Sequence, residues 1–269
     1  MVKSILIFGL IAVIFYGCSS DSPVTTENNN PSDYTKIYTA VSGSNKFEVY
    51  SLTSTDFVYG YNDIGFKFFL NNAEQTSGFV KFKSTMYHGL GGPSHSVPAS
   101  EKFYYDGGKH LFTGYSIFIM YDTAAFWTSD FNYNDEAFID SSSINLVYSS
   151  KAQVYAWDNT VLEHTYILTM IEPSIPHVGL NDVDLMLHQT SNMTDYLEVN
   201  NAEMFIKPWM EAMGHGSSNN TNPSMVSPGR YKGSANFNMA GEWFLYDSIK
   251  VDGTFITRTP APKFILQVN

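Results

Sequence analysis

The chain of 269 residues has the length of one large domain or two of ordinary size, and 43% hydrophobic against 15% charged residues lets it bury a core. Its 15 Lys+Arg against 26 Asp+Glu leave a net charge of −11, which supplies no basic surface for a phosphate backbone and excludes nucleic acid as a partner. One cysteine, Cys18, excludes a disulfide framework and a thiolate zinc site.

The first element in chain order is apolar. Lys3 precedes a run from Ile5 to Tyr16, and Gly17-Cys18 closes it. The run is shorter than the roughly 20 residues a spanning helix needs, and it reads as the h-region of a signal peptide. The layout resembles a bacterial lipoprotein signal, in which the cysteine after a small residue is lipidated once the leader is removed. Residues 1–17 are then the leader, with Cys18 as the lipid anchor. Residues 18–37, rich in Ser, Thr, Asn, Asp and Pro, read as a flexible tether. Ser19 after the cysteine resembles an outer-membrane sorting signal. The expected location is the cell envelope, anchored to the outer membrane on its periplasmic face or at the cell surface.

Beyond the tether the chain repeats itself. Gly60-Tyr61-Asn62-Asp63-Ile64-Gly65-Phe66 matches Gly179-Leu180-Asn181-Asp182-Val183-Asp184-Leu185. Met86-Tyr87-His88-Gly89 matches Met213-Gly214-His215-Gly216, and Pro93–Pro98 matches Pro223–Pro228. Gly114-Tyr115 with Phe118 and Met120 answers Tyr231-Lys232-Gly233 with Phe237 and Met239; Trp127 and Trp243 close the units. Residues 38–149 and 150–269 are therefore two copies of one unit. The spacing drifts only in Gly-, Pro-, Ser- and Asn-rich segments, where loops accept insertions.

Each unit alternates short runs rich in Val, Ile, Tyr, Phe and Thr with turn signals. Phe47–Leu52, Phe66–Leu70, Phe79–Lys83, Tyr115–Met120 and Ile144–Tyr148 are the runs of the first, and Thr165–Met170, Asp184–Leu187 and Glu242–Tyr246 those of the second. No long stretch keeps a 3.6-residue period. The pattern predicts an all-β fold of two tandem immunoglobulin-like antiparallel β-sandwich domains. Asn62-Asp63 and Asn181-Asp182 recur at strand starts, where Asx hydrogen bonding accounts for them.

The chemistry-bearing residues are methionine and histidine. Residues two apart on a strand share a face, so Met86 with His88, and Met213 with His215, can converge on one spot. A thioether beside an imidazole is a soft pair that suits copper, Cu(I) above all, better than oxygen-seeking calcium or magnesium. The Pro-Ser-X element adds His95 in the first unit and Met225 in the second, and Met120 and Met239 are candidate fourth ligands. The same residues have a packing explanation. Met86 extends the inward-facing row Val80, Phe82, Ser84, and Met239 shares a face with Phe237, so both also read as core. His110, His164, His177 and His188 lack a repeated partner and read as surface or satisfied residues.

The second unit carries a family resemblance. Met213-Gly-His215-Gly, Pro228-Gly-Arg-Tyr231 and Phe237-x-Met239-x-Gly241-x-Trp243 are similar to the YtkA-like domain family, related in pattern to FixH-type proteins, over roughly residues 165–255. The first unit keeps Met86-x-His88-Gly89 and Gly114-Tyr115 but lacks the glycine before its tryptophan. The resemblance implies small β-sandwiches outside the cytoplasm, associated with copper handling and respiratory-oxidase assembly, and hence a copper donor or acceptor protein as partner.

Enzymatic signatures are absent from the sequence. It contains no G-x-S-x-G elbow, and Gly89-Leu90-Gly91-Gly92 lacks the lysine of a phosphate loop. The leading expectation is a non-enzymatic, lipid-anchored copper carrier or buffer with Met86, His88 and His95 in one unit and Met213, His215 and Met225 in the other. The alternative is a structural or recognition lipoprotein that presents aromatic loops, including Trp127, Trp157 and Trp209, to a protein or glycan.

Overall fold

The computed structural model describes residues 34–52, 54–89, 91–150, 152–257 and 261–269, of 140 and 141 the backbone alone. The leader, Cys18 and most of the expected tether lie outside the described residues.

Every regular element described is a strand. The first half holds β1 (Thr35–Ser42), β2 (Asn45–Ser51), β3 (Phe57–Val58), β4 (Gly60–Leu70), β5 (Ala73–Gln75), β6 (Phe79–Tyr87), β7 (Ser94–Ser96), β8 (Phe103–Asp106), β9 (Leu111–Phe118), β10 (Phe126–Tyr133), β11 (Glu136–Ile144) and β12 (Leu146–Val147). The second holds β13 (Gln153–Asn159), β14 (His164–Glu172), β15 (Gly179–Thr190), β16 (Leu197–Glu198), β17 (Ala202–Met210), β18 (His215–Gly216), β19 (Thr221–Ser227), β20 (Arg230–Phe237), β21 (Gly241–Val251), β22 (Thr254–Phe255) and β23 (Lys263–Val268). Because β1 begins at Thr35, the last residues assigned to the tether belong to the fold.

The alternation that makes strands legible also builds the cores. In β6, Val80, Phe82, Ser84 and Met86 are buried while the residues between them are more exposed. Strand β10 does the same with Trp127, Ser129, Phe131 and Tyr133. The two buried hydroxyls in these rows, Ser84 and Ser129, satisfy each other at 2.8 Å. In the first half one path of strands, β1-β2-β4-β9-β8-β6-β10-β11, curls on itself. Its ends meet where the Tyr38 hydroxyl bonds that of Ser142. Inside it Phe82 packs at 5.3 Å from Phe66 and 5.2 Å from Phe131. Each such fully buried ring stabilises the fold by roughly 1.5–3 kcal/mol.

The second half is a sandwich of β13-β14-β15-β20-β19 against β18-β17-β21, with β23 beside β21. Leu168, Leu185, Tyr231, Phe237, Trp243 and Phe264 fill its core. The all-β antiparallel class expected from the strand pattern is the observed one; the exception is the short parallel pairing of β3 with β12.

The same backbone device opens β4 and β15. The Asn62 amide donates to the carbonyls of Val58 (2.8 Å) and Gly60 (2.9 Å), and its oxygen accepts the Val58 N–H at 2.9 Å. Asn181 does likewise with His177 (2.7 Å, and 2.9 Å for the returning N–H) and Gly179 (2.9 Å). Gly60 and Gly179 sit at φ 99° and 110°, which is why both positions are glycine. They pair with Phe118 and Phe237 across the neighbouring strand. Asn62→Ala and Asn181→Ala each leave at least three backbone bonds unmade, and each is expected to lower the unfolding free energy by ~1–3 kcal/mol in urea titrations.

A polar seam joins the halves. The outward-facing Ile167, Thr169, Met186 and His188 of β14 and β15 are buried rather than exposed. Tyr115 of β9 donates to Glu198 at 2.8 Å, and its oxygen lies 2.9 Å from Nε2 of His188. Since tyrosine has one proton to give, His188 Nε2–H donates to Tyr115, and Nδ1 is left buried without a partner. Of the two sequence readings of His188, surface or satisfied, the first is corrected by its burial, and the second holds for Nε2 but not for Nδ1. Ser96 of β7 donates its N–H to the Met193 carbonyl (2.9 Å) and its hydroxyl to that of Thr194, and receives the Tyr196 hydroxyl at 3.1 Å. The described residues from Tyr34 to Asn269 accordingly belong to one compact unit.

Candidate metal site

Strand β6 sets up the first candidate site. Across its two neighbours Met86 is in register with His95 of β7 and with Trp127 of β10. Directly opposed residues of antiparallel strands project to one face, so the three side chains form a row with the thioether in the middle. The rings of His95 and Trp127 meet edge to face at 5.7 Å, and Trp127 in turn meets Phe118 at 5.0 Å. Met86 is fully buried, and His95 is only 7% exposed.

The imidazole is fixed by its own backbone. His95 Nδ1 lies 2.9 Å from the Ser96 carbonyl, an acceptor, so Nδ1 carries the proton and Nε2 the lone pair. Nε2 is buried and has no hydrogen-bond partner. Burial holds the ring's pKa below the ordinary histidine value, against the opposing Ser96 hydrogen bond, and a charge on His88 would lower it further, which favours the neutral form a ligand needs. The carbonyl that holds it is the one that also accepts Tyr196 from the second half. His88 lies in the β6–β7 turn, its ring 6.1 Å from that of His95, with Nδ1 3.5 Å from the Asp122 carboxylate. His95 is therefore set beside Met86 by register and near His88 by ring distance. A neutral imidazole with its other N–H bonded to a carbonyl, beside a thioether, is a donor set that fits a soft copper ion.

The second half is arranged differently from the sequence match. Met210, the last residue of β17, is in register with His215 of β18. The rings of His215 and Trp243 meet edge to face at 5.6 Å, Phe237 packs on Trp243 at 5.4 Å, and His215 Nδ1 lies 2.9 Å from the Gly216 carbonyl. The counterpart of Met86–His95–Trp127 is thus Met210–His215–Trp243. The matching of Met86-x-His88 to Met213-x-His215 is corrected by this register. Met213 is 62% exposed in the tight turn where Gly214 N–H returns to the Met210 carbonyl at 2.9 Å.

The exchange of His95 for Met225 also falls away. Met225 is 50% exposed on β19, opposite Tyr231 of β20, in the sheet that does not contain β18. Met120 and Met239 follow β9 and β20 and are both partly exposed, and the Met239 carbonyl accepts the Trp243 indole N–H at 3.0 Å. Sequence reasoning missed Met210 and Tyr196. A Met and a His flanking a turn, in β-paired positions, was the available signal for the first; nothing local marks the second. Among the described residues no group of three or more His, Cys, Asp and Glu could hold a metal.

Residues 164–246 match the YtkA-like family. Similar solved structures include the Escherichia coli adhesin FdeC, at 9% identity over 86% of this chain and 66% of that one with a TM-score of 0.23. Domains 5–6 of the S-layer protein SbsC align at 10% identity over 87% and 97% with a TM-score of 0.30. Invasin, a bacterial integrin-binding protein, aligns at 11% identity over 83% of this chain and 39% of its own, with a TM-score of 0.25. No curated protein matches the chain.

Proposed function

We propose that the chain is a non-enzymatic, extracytoplasmic copper-binding protein, a carrier or buffer that prefers Cu(I), held to the outer membrane through lipidated Cys18. The observation that supports the copper reading is the buried, unpartnered Nε2 of His95 in a row with Met86. Leaving a buried acceptor unmade costs about 1–3 kcal/mol, and a bound cation would remove that cost. His95 and Met86 would hold the ion, with His88 on the solvent side. Copper bound there would supply a soft cation ready for transfer to an acceptor protein. Both units would be copies of the YtkA-like domain, the first more divergent.

The test is a Cu(I) competition titration of the full chain against a chromophoric chelator in the absence of oxygen. Copper held by the parent is expected to be lost from the first half in His95→Ala, while Met86→Leu, close in volume, weakens it without altering the thermal melt. A copper stoichiometry left undiminished by both changes would overturn the assignment.

A second reading rests on a different place, a groove of 670 Å³ along the seam lined by Leu52, Tyr59, Tyr61, Tyr148, Ile175 and Arg230 among others. Tyr148 is 59% exposed and stacks on Tyr59 at 6.2 Å. Exposed rings of this kind suit recognition of a protein or glycan, and this reading takes precedence if no copper is retained.

A further inference from the structure

We propose that the second half holds a second copper site, made by Met210 and His215 beside Trp243, and that it exchanges copper faster than the site at His95. The inference rests on the copper reading above and adds to it a ligand, Met210, and a division of labour between the halves.

Three features recur in the two places. A methionine at the end of a long strand faces a histidine across a short edge pairing: Met86 with His95, Met210 with His215. Each histidine is held through Nδ1 by the carbonyl of the next residue at 2.9 Å, which leaves Nε2 as the lone-pair nitrogen. Each ring meets a tryptophan edge to face, at 5.7 Å and 5.6 Å, and each tryptophan rests on the phenylalanine that ends the strand before it in the chain. Packing needs alone would preserve the tryptophan and phenylalanine. They do not require an imidazole with the same nitrogen bonded and the same nitrogen free.

The two places differ in cover. His95 is buried, and its strand is clamped by the seam, where Ser96 bonds Met193, Thr194 and Tyr196. His215 is only half-buried, on a two-residue edge strand. It follows the tight turn that leaves Met213 exposed. Exchange of a metal with an outside ligand needs that ligand to reach the ion, so the open site gives up copper first.

The experiment uses the full chain loaded anaerobically with Cu(I), with bound copper counted by metal analysis and its transfer to excess chelator followed in time. The parent is expected to hold two equivalents and to release them in two phases. His215→Ala and Met210→Leu should each lose the fast equivalent and keep the slow one, and His95→Ala should do the reverse. Unchanged melting and near-ultraviolet circular dichroism check that each variant is folded. Two equivalents retained in both His215→Ala and Met210→Leu would overturn the proposal, as would loss of the slow phase in them. A parent that holds one equivalent, lost in His95→Ala, would end this inference and leave the proposed function standing. A parent that holds none would end both.

Discussion

Asp247→Asn is expected to make the protein more stable at neutral pH and to remove a decline of stability with rising pH. In β21 the inward positions are Trp243, Leu245, Asp247, Ile249 and Val251, so a carboxyl stands where the pattern calls for an apolar side chain. Asp247 is fully buried, and neither of its oxygens has a hydrogen-bond partner. Burial therefore pushes its pKa well above the ordinary carboxylate value. The folded state keeps a proton that the unfolded chain releases near its ordinary pKa of about 4. The stability this group contributes is thus full below about pH 4 and is lost, at up to ~1.4 kcal/mol per pH unit, as pH rises through the folded pKa. Asparagine cannot ionise, so the variant keeps its stability over the same range. The gain at neutral pH should be on the order of 1–3 kcal/mol, limited because the new amide also lacks partners. Urea unfolding of parent and variant at about pH 5, 6, 7 and 8 measures it. Parallel pH profiles would assign the decline to another group.

Much of the fold could be read because β-ladders turn periodic sequence into paired geometry. Gly60, Asn62, Gly114 and Phe118 recur as Gly179, Asn181, Gly233 and Phe237 at equal spacing, and each pair occupies the same rung of the β4–β9 or β15–β20 ladder. No loop of variable length intervenes within those strands, so the register survives in the spacing. The candidate site lies where that condition fails. Its methionine and histidine flank a turn, and the turn from β6 to β7 is longer than that from β17 to β18. A local likeness, Met-x-His-Gly, then matched a strand end in one half to a turn in the other. His88, in the longer turn, has no structural counterpart at His215. The seam was illegible for a related reason. Ile167, Thr169, Met186 and His188 lie on the face that an isolated sandwich would expose, and only the other half, far away in sequence, explains their burial.

That burial places a titratable ring where its charged form is disfavoured. His188, beneath Tyr115, has its pKa pushed down to about 3 because burial disfavours the charged ring. The unfolded chain takes up a proton near the ordinary value of about 6.5, so between the two values the unfolded state binds more protons than the folded one. Stability from this group is therefore fully present above about pH 6.5 and falls, at up to ~1.4 kcal/mol per pH unit, as pH drops toward the folded pKa. The sign is opposite to that of Asp247. His188→Leu should remove this acid-side decline and shift the acid unfolding midpoint downward. It should leave neutral stability nearly unchanged, since Tyr115 still donates to Glu198 at 2.8 Å. Tyr115→Phe should behave differently. It strips the remaining partner from His188 Nε2, and ~1–3 kcal/mol should be lost at neutral pH. Equilibrium unfolding from about pH 7 down to about pH 4 separates the two variants. An acid-side slope that persists in His188→Leu would place the proton uptake elsewhere, with His95 the next group to test, because burial lowers its pKa as well.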